Sequence, residues 1–163
     1  MKKAPAVSEP ELTPRGRLEE GGMHGLLGYH LAQATIVTDG RFMRAAGQPM
    51  NLRPVEFTIL QLVRENAEVT PTRLARALAI TTPGITAWLD KLEARKLLVR
   101  ERSAADGRAQ HLRLTAEGKA KVNKALQALL EAEAQLGEQL SPGERVILLE
   151  LLRKVAQARP ARD

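Results

Sequence analysis

The chain has 163 residues, 44% of them apolar but only 2% aromatic, with a net charge of +6 and no cysteine. The missing cysteines exclude a disulfide framework, thiolate zinc and thiol redox sensing. No apolar run approaches the ~18 residues of a membrane span. No signal-peptide core follows Lys2-Lys3, so the sequence reads as a soluble cytoplasmic protein with no membrane partner.

Residues 1–22 place Pro5, Pro10, Pro14, Gly16, Gly21 and Gly22 among charges, the composition of a flexible arm. From residue 23 apolar positions recur at helical spacing: Leu27, His30 and Leu31, Ala34, Val37 and Thr38, Phe42. This predicts a helix to about Ala46, ended by Gly47-Gln48-Pro49, within a first helical segment 23–50. Gly40 inside it costs ~1 kcal/mol relative to Ala, which implies a bend or a close backbone contact.

Four prolines, Pro54, Pro71, Pro83 and Pro142, stand where a helix would begin, since the first helical residue loses nothing by lacking an N–H. Thr70, Thr82 and Ser141 precede three of them as N-caps. Ser141 and Glu144 also have capping-box spacing. Helices are therefore predicted at 53–66, 71–78, 82–97 and 142–158.

Between Lys96 and Thr115 the period changes to two. Residues 98–100 and 109–114 read as strands, with Leu112 and Leu114 inward and His111 and Arg113 outward. Ser103 to Arg108 forms the tip, where Gly107 offers a positive φ. Thr115 then caps a helix of roughly 25 residues, ~37 Å long. Its stripe of Val122, Leu126, Leu129, Leu136 and Leu140 is joined by a second one, Ile147, Leu148, Leu151, Leu152 and Val155. Both stripes together with the first helix exceed what one small core absorbs. The reading is a helical dimerisation layer made from both chain ends, 23–50 and 116–163, in preference to an intramolecular bundle. Leu129→Glu should disturb it.

Residues 51–115 are the part that points to function. A short helix, a tight turn at 79–81, a longer helix and a hairpin make a winged helix-turn-helix lobe, giving a mostly α fold with a small β-hairpin wing. In that arrangement the second helix enters the major groove by its N-terminal half. Thr81, Thr82, Pro83, Gly84, Thr86 and Ala87 stand there: small residues, with hydroxyls for phosphates or base edges and methyls for thymine. The helix start adds its positive dipole end. Ile85, Leu89 and Leu92 would hold the opposite face, and Trp88 reads as an anchor at the rim. Lys91 and Arg95 lie where phosphate contacts are expected. Residues 70–115 hold nine Lys or Arg against four Asp or Glu, a local excess of +5, suited to a polyanion. Arg102 and Arg108 at the hairpin fit the negative potential of a minor groove. Asp106 would pair with Arg108 or another wing arginine and fix its guanidinium, since an acid facing phosphate is repelled.

The stretch from about 26 to 155 resembles the MarR family of winged-helix regulators. "LRPVEFTILQLV" (52–63) and "TRLARALAITTPGITAWLDKLEARKLLVRERSAADGRAQHLRLTAEG" (72–118) carry the resemblance. The Asp106-Gly107-Arg108 wing followed by Leu114-Thr115-Ala116-Glu117-Gly118 is its most specific part. The resemblance implies a homodimer on a pseudo-palindromic DNA operator, usually repressing until a small effector binds. By position it implies Thr82, Thr86 and Arg108 as DNA contacts. The effectors it implies are phenolic or other aromatic molecules, an aromatic acid or its CoA thioester among them. His24, Tyr29, His30 and Phe57 are the candidate ligand residues, with His30 equally readable as an interface histidine bonded to backbone. Arg41 would neutralise an acidic ligand if it faced the same cleft. No cofactor is implied. Three histidines without a ligand-spaced pair speak against a metal, and no nucleophile–base set speaks for an enzyme. An architectural DNA-binding protein and a protein-interaction adaptor are the alternatives.

Overall fold

The computed structural model describes residues 12–102 and 110–159, so the hairpin tip with Asp106, Gly107 and Arg108 lies outside the described residues. Backbone contacts divide the chain after Gly40 into two units.

In the first unit, Leu12 and Glu19 bridge across a tight turn, where Gly16 (φ +81°) and Arg17 (φ +53°) take left-handed backbone. A 3₁₀ turn follows at Gly21–Gly25, Leu26 is extended, and only then does helix α1 begin, Leu27–Phe42. This corrects the expected helix start at residue 23: left-handed Gly21 and extended Leu26 interrupt the chain there. Within the expected N-terminal arm, residues 12–19 form that turn.

The helical path does not end at Gly47. It passes through a π turn at Met43–Gly47 into a short α2, Gln48–Met50, and is closed by Asn51 at φ +49°. Pro49 has no N–H for the carbonyl four residues back and its ring crowds that carbonyl, a conflict that a wider turn relieves. Gly47 is buried, and a Cβ there would lie 2.7 Å from Met43 Sδ and 3.3 Å from the Leu52 carbonyl. It is a site of close approach, and asparagine, which tolerates left-handed backbone, supplies the stop.

The lobe that follows comprises α3 (Pro54–Glu65), α4 (Pro71–Leu78), α5 (Thr82–Ala94) and an antiparallel hairpin, β1 (Leu98–Arg102) with β2 (Gln110–Leu114). Leu98 faces Leu114 and Arg102 faces Gln110. Two long helices end the chain, α6 (Ala116–Gly137) and α7 (Pro142–Gln157). Helix α5 stops three residues short of the expected 97 because Lys96 turns left-handed, φ +56°. Its N-cap is Thr81, not Thr82: Thr81 is the extended residue, and its hydroxyl accepts the Gly84 N–H at 3.3 Å.

One core joins the lobe to the start of α6. Leu52, Ile59, Leu60, Ile85, Leu89, Leu92, Leu97, Leu98 and Val122 are buried to 1% exposure or less. The start of α6 lies directly on the strand entry. Thr115 donates its hydroxyl to the Lys96 carbonyl (2.6 Å) and accepts from Gly118 N–H (3.0 Å). A Cβ on Gly118 would fall 1.9 Å from the Leu97 carbonyl oxygen. The glycine of the Leu-Thr-Ala-Glu-Gly run is thus there to let helix backbone touch strand backbone. Along α7, by contrast, every described side chain is exposed, including Val146 at 66% and Ile147 at 57%.

Candidate nucleic-acid interface

The turn between α4 and α5 is set by Ala79 at φ +53°, whose N–H caps the end of α4, and by Ile80, whose N–H reaches the Ala75 carbonyl at 3.0 Å. A non-glycine residue in left-handed backbone is held by its surroundings. In sequence the turn lies between Leu74 and Ala75 on one side and Ile85 on the other, all three buried in the core. Gly84 allows the closure, since a Cβ there would sit 2.8 Å from Ile80 Cγ2.

That turn fixes which way α5 faces. Ile85, Leu89 and Leu92 are fully buried, while Thr81, Thr82, Pro83, Thr86 and Ala87 are exposed. Thr86 donates its hydroxyl to the Thr82 carbonyl at 3.0 Å, so its lone pairs and methyl face outward. Thr81 spends a lone pair on its cap and keeps its O–H. The first two turns of α5 therefore present methyls, hydroxyls and a helix start on a rigid backing, a surface able to approach a groove closely.

Trp88 is half-buried against the core, as a rim anchor should be. Its ring carries two cations: Lys91 Nζ lies 4.8 Å and Arg53 Cζ 5.7 Å from the ring centroid. This holds the exposed ammonium of Lys91 beside α5. Arg53, which the sequence reading passed over, joins it because Pro54 starts α3 at the same edge.

Arg95 is placed differently from its expected role. Its Nη1 donates to Glu56 Oε1 at 3.0 Å and its Nη2 to the Asn51 carbonyl. The Glu56 side chain is only 6% exposed, and its other oxygen accepts the Arg53 N–H at 2.8 Å. A buried carboxylate requires this cation, so Arg95 ties α5 to the start of α3. Arg100 is spent likewise on Asp90 and on Glu93 (3.0 Å), and Arg113 on Glu101 (2.8 Å). Arg73, Arg76, Lys91 and Lys96 make no ion pair among the described residues and carry the outward positive charge. The backbone of Arg102 ends β1 opposite Gln110. Asp106 and Arg108 lie outside the described residues.

The candidate ligand residues fall into two groups. In the first unit, His24, Tyr29 and His30 stack edge to face, with centroids 5.2 and 5.5 Å apart. Tyr29 donates its hydroxyl to buried Glu20 at 3.0 Å. Desolvation, then the hydrogen bond and charge of Glu20, raise its pKa above the usual phenol value. His30 Nε2 lies 2.6 Å from the His24 carbonyl, the backbone partner that the second reading of this histidine expects. In the second unit, Phe57 pairs with Phe42 at 6.0 Å. Arg41 Nη1 donates to the Ala132 carbonyl on α6 at 3.1 Å. Among the described residues no group of three His, Cys, Asp or Glu could hold a metal, and no helix is long and apolar enough to cross a membrane.

Comparison with known proteins agrees with this geometry. Residues 50–109 match the model of the MarR family. The transcriptional repressor CouR, solved on a 23-mer DNA duplex, is 35% identical; the match covers 85% of this chain and 98% of CouR at a TM-score of 0.78. CouR bound to p-coumaroyl-CoA matches at 33% identity over 87% and 99%, with a TM-score of 0.77. BpsR of Bordetella bronchiseptica, whose DNA binding is regulated by 6-hydroxynicotinic acid, matches at 26% identity over 83% and 96%, with a TM-score of 0.74.

Proposed function

The chain belongs to the MarR family of winged-helix transcriptional regulators, and on that premise we propose that it is a homodimeric repressor released from its operator by an aromatic acid or the CoA thioester of one. The observation that carries the DNA-binding half is α5, whose buried back and exposed threonine start leave one face for a groove. Two copies of α5 would enter successive major grooves about one turn (~34 Å) apart. Thr82 and Thr86 would touch base edges, and Lys91 phosphate. Arg102 and Arg108, oriented by Asp106, would enter the minor groove. The apolar face of α7, exposed along its length in a single chain, supports pairing of two copies. The effector class draws on CouR and BpsR, which take an aromatic thioester and an aromatic acid.

The test is fluorescence anisotropy of a duplex from the protein's own promoter against a scrambled duplex, across a salt series. Tight, salt-sensitive and sequence-selective binding is expected, lowered by one class of aromatic acid or thioester. Equal affinity for the scrambled duplex would indicate an architectural binder, and no duplex binding at low salt an adaptor. Arg108→Ala should weaken DNA binding by about tenfold and leave the dimer intact.

A further inference from the structure

A cleft of about 320 Å³ opens between the end of α1, with its π turn, and the middle of α6. Arg41 and Arg44 form one wall; Ala128, Glu131, Ala132 and Gln135 form the other. All belong to the unit that begins at Arg41. Ala128 and Ala132 are one helical turn apart, so that wall is low and the arginines stand over it.

Arg41, like Arg73 and Arg159, bonds a backbone carbonyl and differs from the ion-paired arginines of this unit. Arg64, Arg95, Arg100 and Arg113 each meet a carboxylate. Arg41 meets only the Ala132 carbonyl, through Nη1, and its Nε is shut off from water with no hydrogen-bond partner. A buried N–H without an acceptor costs stability, and such groups are rare in folded proteins. With Nη1 bonded and Nε closed off, Nη2 is the end of this guanidinium left to donate to an anion. Arg44 is exposed on the same wall and has no ion pair among the described residues. Gln135 adds an amide donor. Glu131 opposes an anion, but one carboxylate against two guanidiniums leaves the cleft positive. Its volume suits a single anionic group with a few attached atoms, not a whole acyl-CoA.

We propose that this cleft is an anion subsite, which takes the carboxylate or a phosphate of the effector between the guanidiniums of Arg41 and Arg44. The effector role rests on the repressor reading above; anion binding as such does not.

The experiment compares the parent with R41Q, R44Q and the double variant by titration calorimetry and by release of the operator duplex. R41K, which keeps the charge but loses the fork, guards against a mere folding defect. The probes are p-coumarate, its neutral methyl ester, coenzyme A, p-coumaroyl-CoA and inorganic pyrophosphate. All variants should hold the duplex like the parent, because neither arginine belongs to the DNA face. The double variant should bind the anionic probes about tenfold more weakly and the methyl ester unchanged. R41K should fall between. A loss confined to coenzyme A and its thioester makes phosphate the group held; a loss confined to p-coumarate makes it the carboxylate. If no aromatic probe releases the parent from DNA, the effector reading fails. Pyrophosphate then decides the subsite alone: weaker binding by the double variant keeps it, and equal binding overturns it. Parent-like affinity of the double variant for every probe overturns it outright.

Discussion

Helix α5 starts with Thr81 accepting the amide of Gly84 and carries a proline in its first turn; α7 starts with Ser141 accepting the amide of Glu144 and a proline after it. Both are amphipathic. In α5 the apolar face is closed, with Ile85, Leu89 and Leu92 at 0% exposure. In α7 Val146, Ile147, Leu148, Leu149, Leu151, Leu152 and Val155 stand between 37% and 66% exposed. Caps and periodicity specify a helix and its apolar face, but not what covers that face. For α5 the cover comes from the hairpin and the neighbouring helices of the same lobe. For α7 no described residue of the chain buries it, and the proposed cover is a second copy of the chain.

The sharpest break of this comparison is a matched pair of truncations. Leu89→Ala empties a fully buried site and should cost the lobe about 3–4 kcal/mol in denaturant unfolding. Leu152→Ala, at 37% exposure, should barely move the lobe's own unfolding and instead weaken the dimer, measured by sedimentation across a concentration series. Equal effects of the two on a dilute protein would mean that α7 packs within its own chain.

Gly118→Ala should come next, at about 3 kcal/mol. The added methyl meets the Leu97 carbonyl at 1.9 Å, and backbone cannot swing aside as a side chain can. Thermal unfolding checks it, with Gly143→Ala in α7 as the control, since a Cβ there has nothing within 4 Å.

Arg95→Ala distinguishes structural charge from DNA-facing charge within α5. It strands the Glu56 carboxylate, and with Arg95 28% exposed the loss should be about 2 kcal/mol. Lys91→Ala should leave stability nearly unchanged and lower the salt slope of DNA binding by about one. If Arg95→Ala kept full stability and lowered the salt slope instead, Arg95 would be a phosphate contact after all.

The pattern of what was legible follows from range. Helix α4 is found where expected, at 71–78, and the wing and the Ser141 capping box are local signals that survive folding. The role of Arg95 was not legible, because its partner Glu56 lies 39 residues away and no periodicity links them. Thr81 and Thr82 are chemically equal caps, and only the extended backbone of Thr81 chooses between them. The long stripe of α6 concealed a division of labour. Val122 is buried and Leu129 packs on the lobe core, while Leu136 and Leu140 further along are only half-buried. Leu129→Glu would therefore damage the lobe as well as any interface, and Leu148→Glu is the cleaner break of the dimer layer.

The smallest expected effect separates the two caps by pH. The Glu144 carboxylate accepts the Ser141 N–H at 2.7 Å, completing a reciprocal box. Its hydrogen bonds to Ser141 hold its pKa below the usual value near 4.5. An acid whose pKa falls on folding stabilises while ionised. Its contribution is present above the unfolded value and disappears as pH drops through the lower folded one. The cap of α5 has no acid in its first turn, so nothing in it titrates over that range. Amide exchange from pH 6 to pH 3 should therefore show the first turn of α7 loosening below about pH 4.5 while the Gly84 amide keeps its protection. Glu144→Gln, which can still accept a hydrogen bond, should abolish the difference. A pH response that survived this substitution would assign the loosening to the proposed dimer contact rather than to the cap.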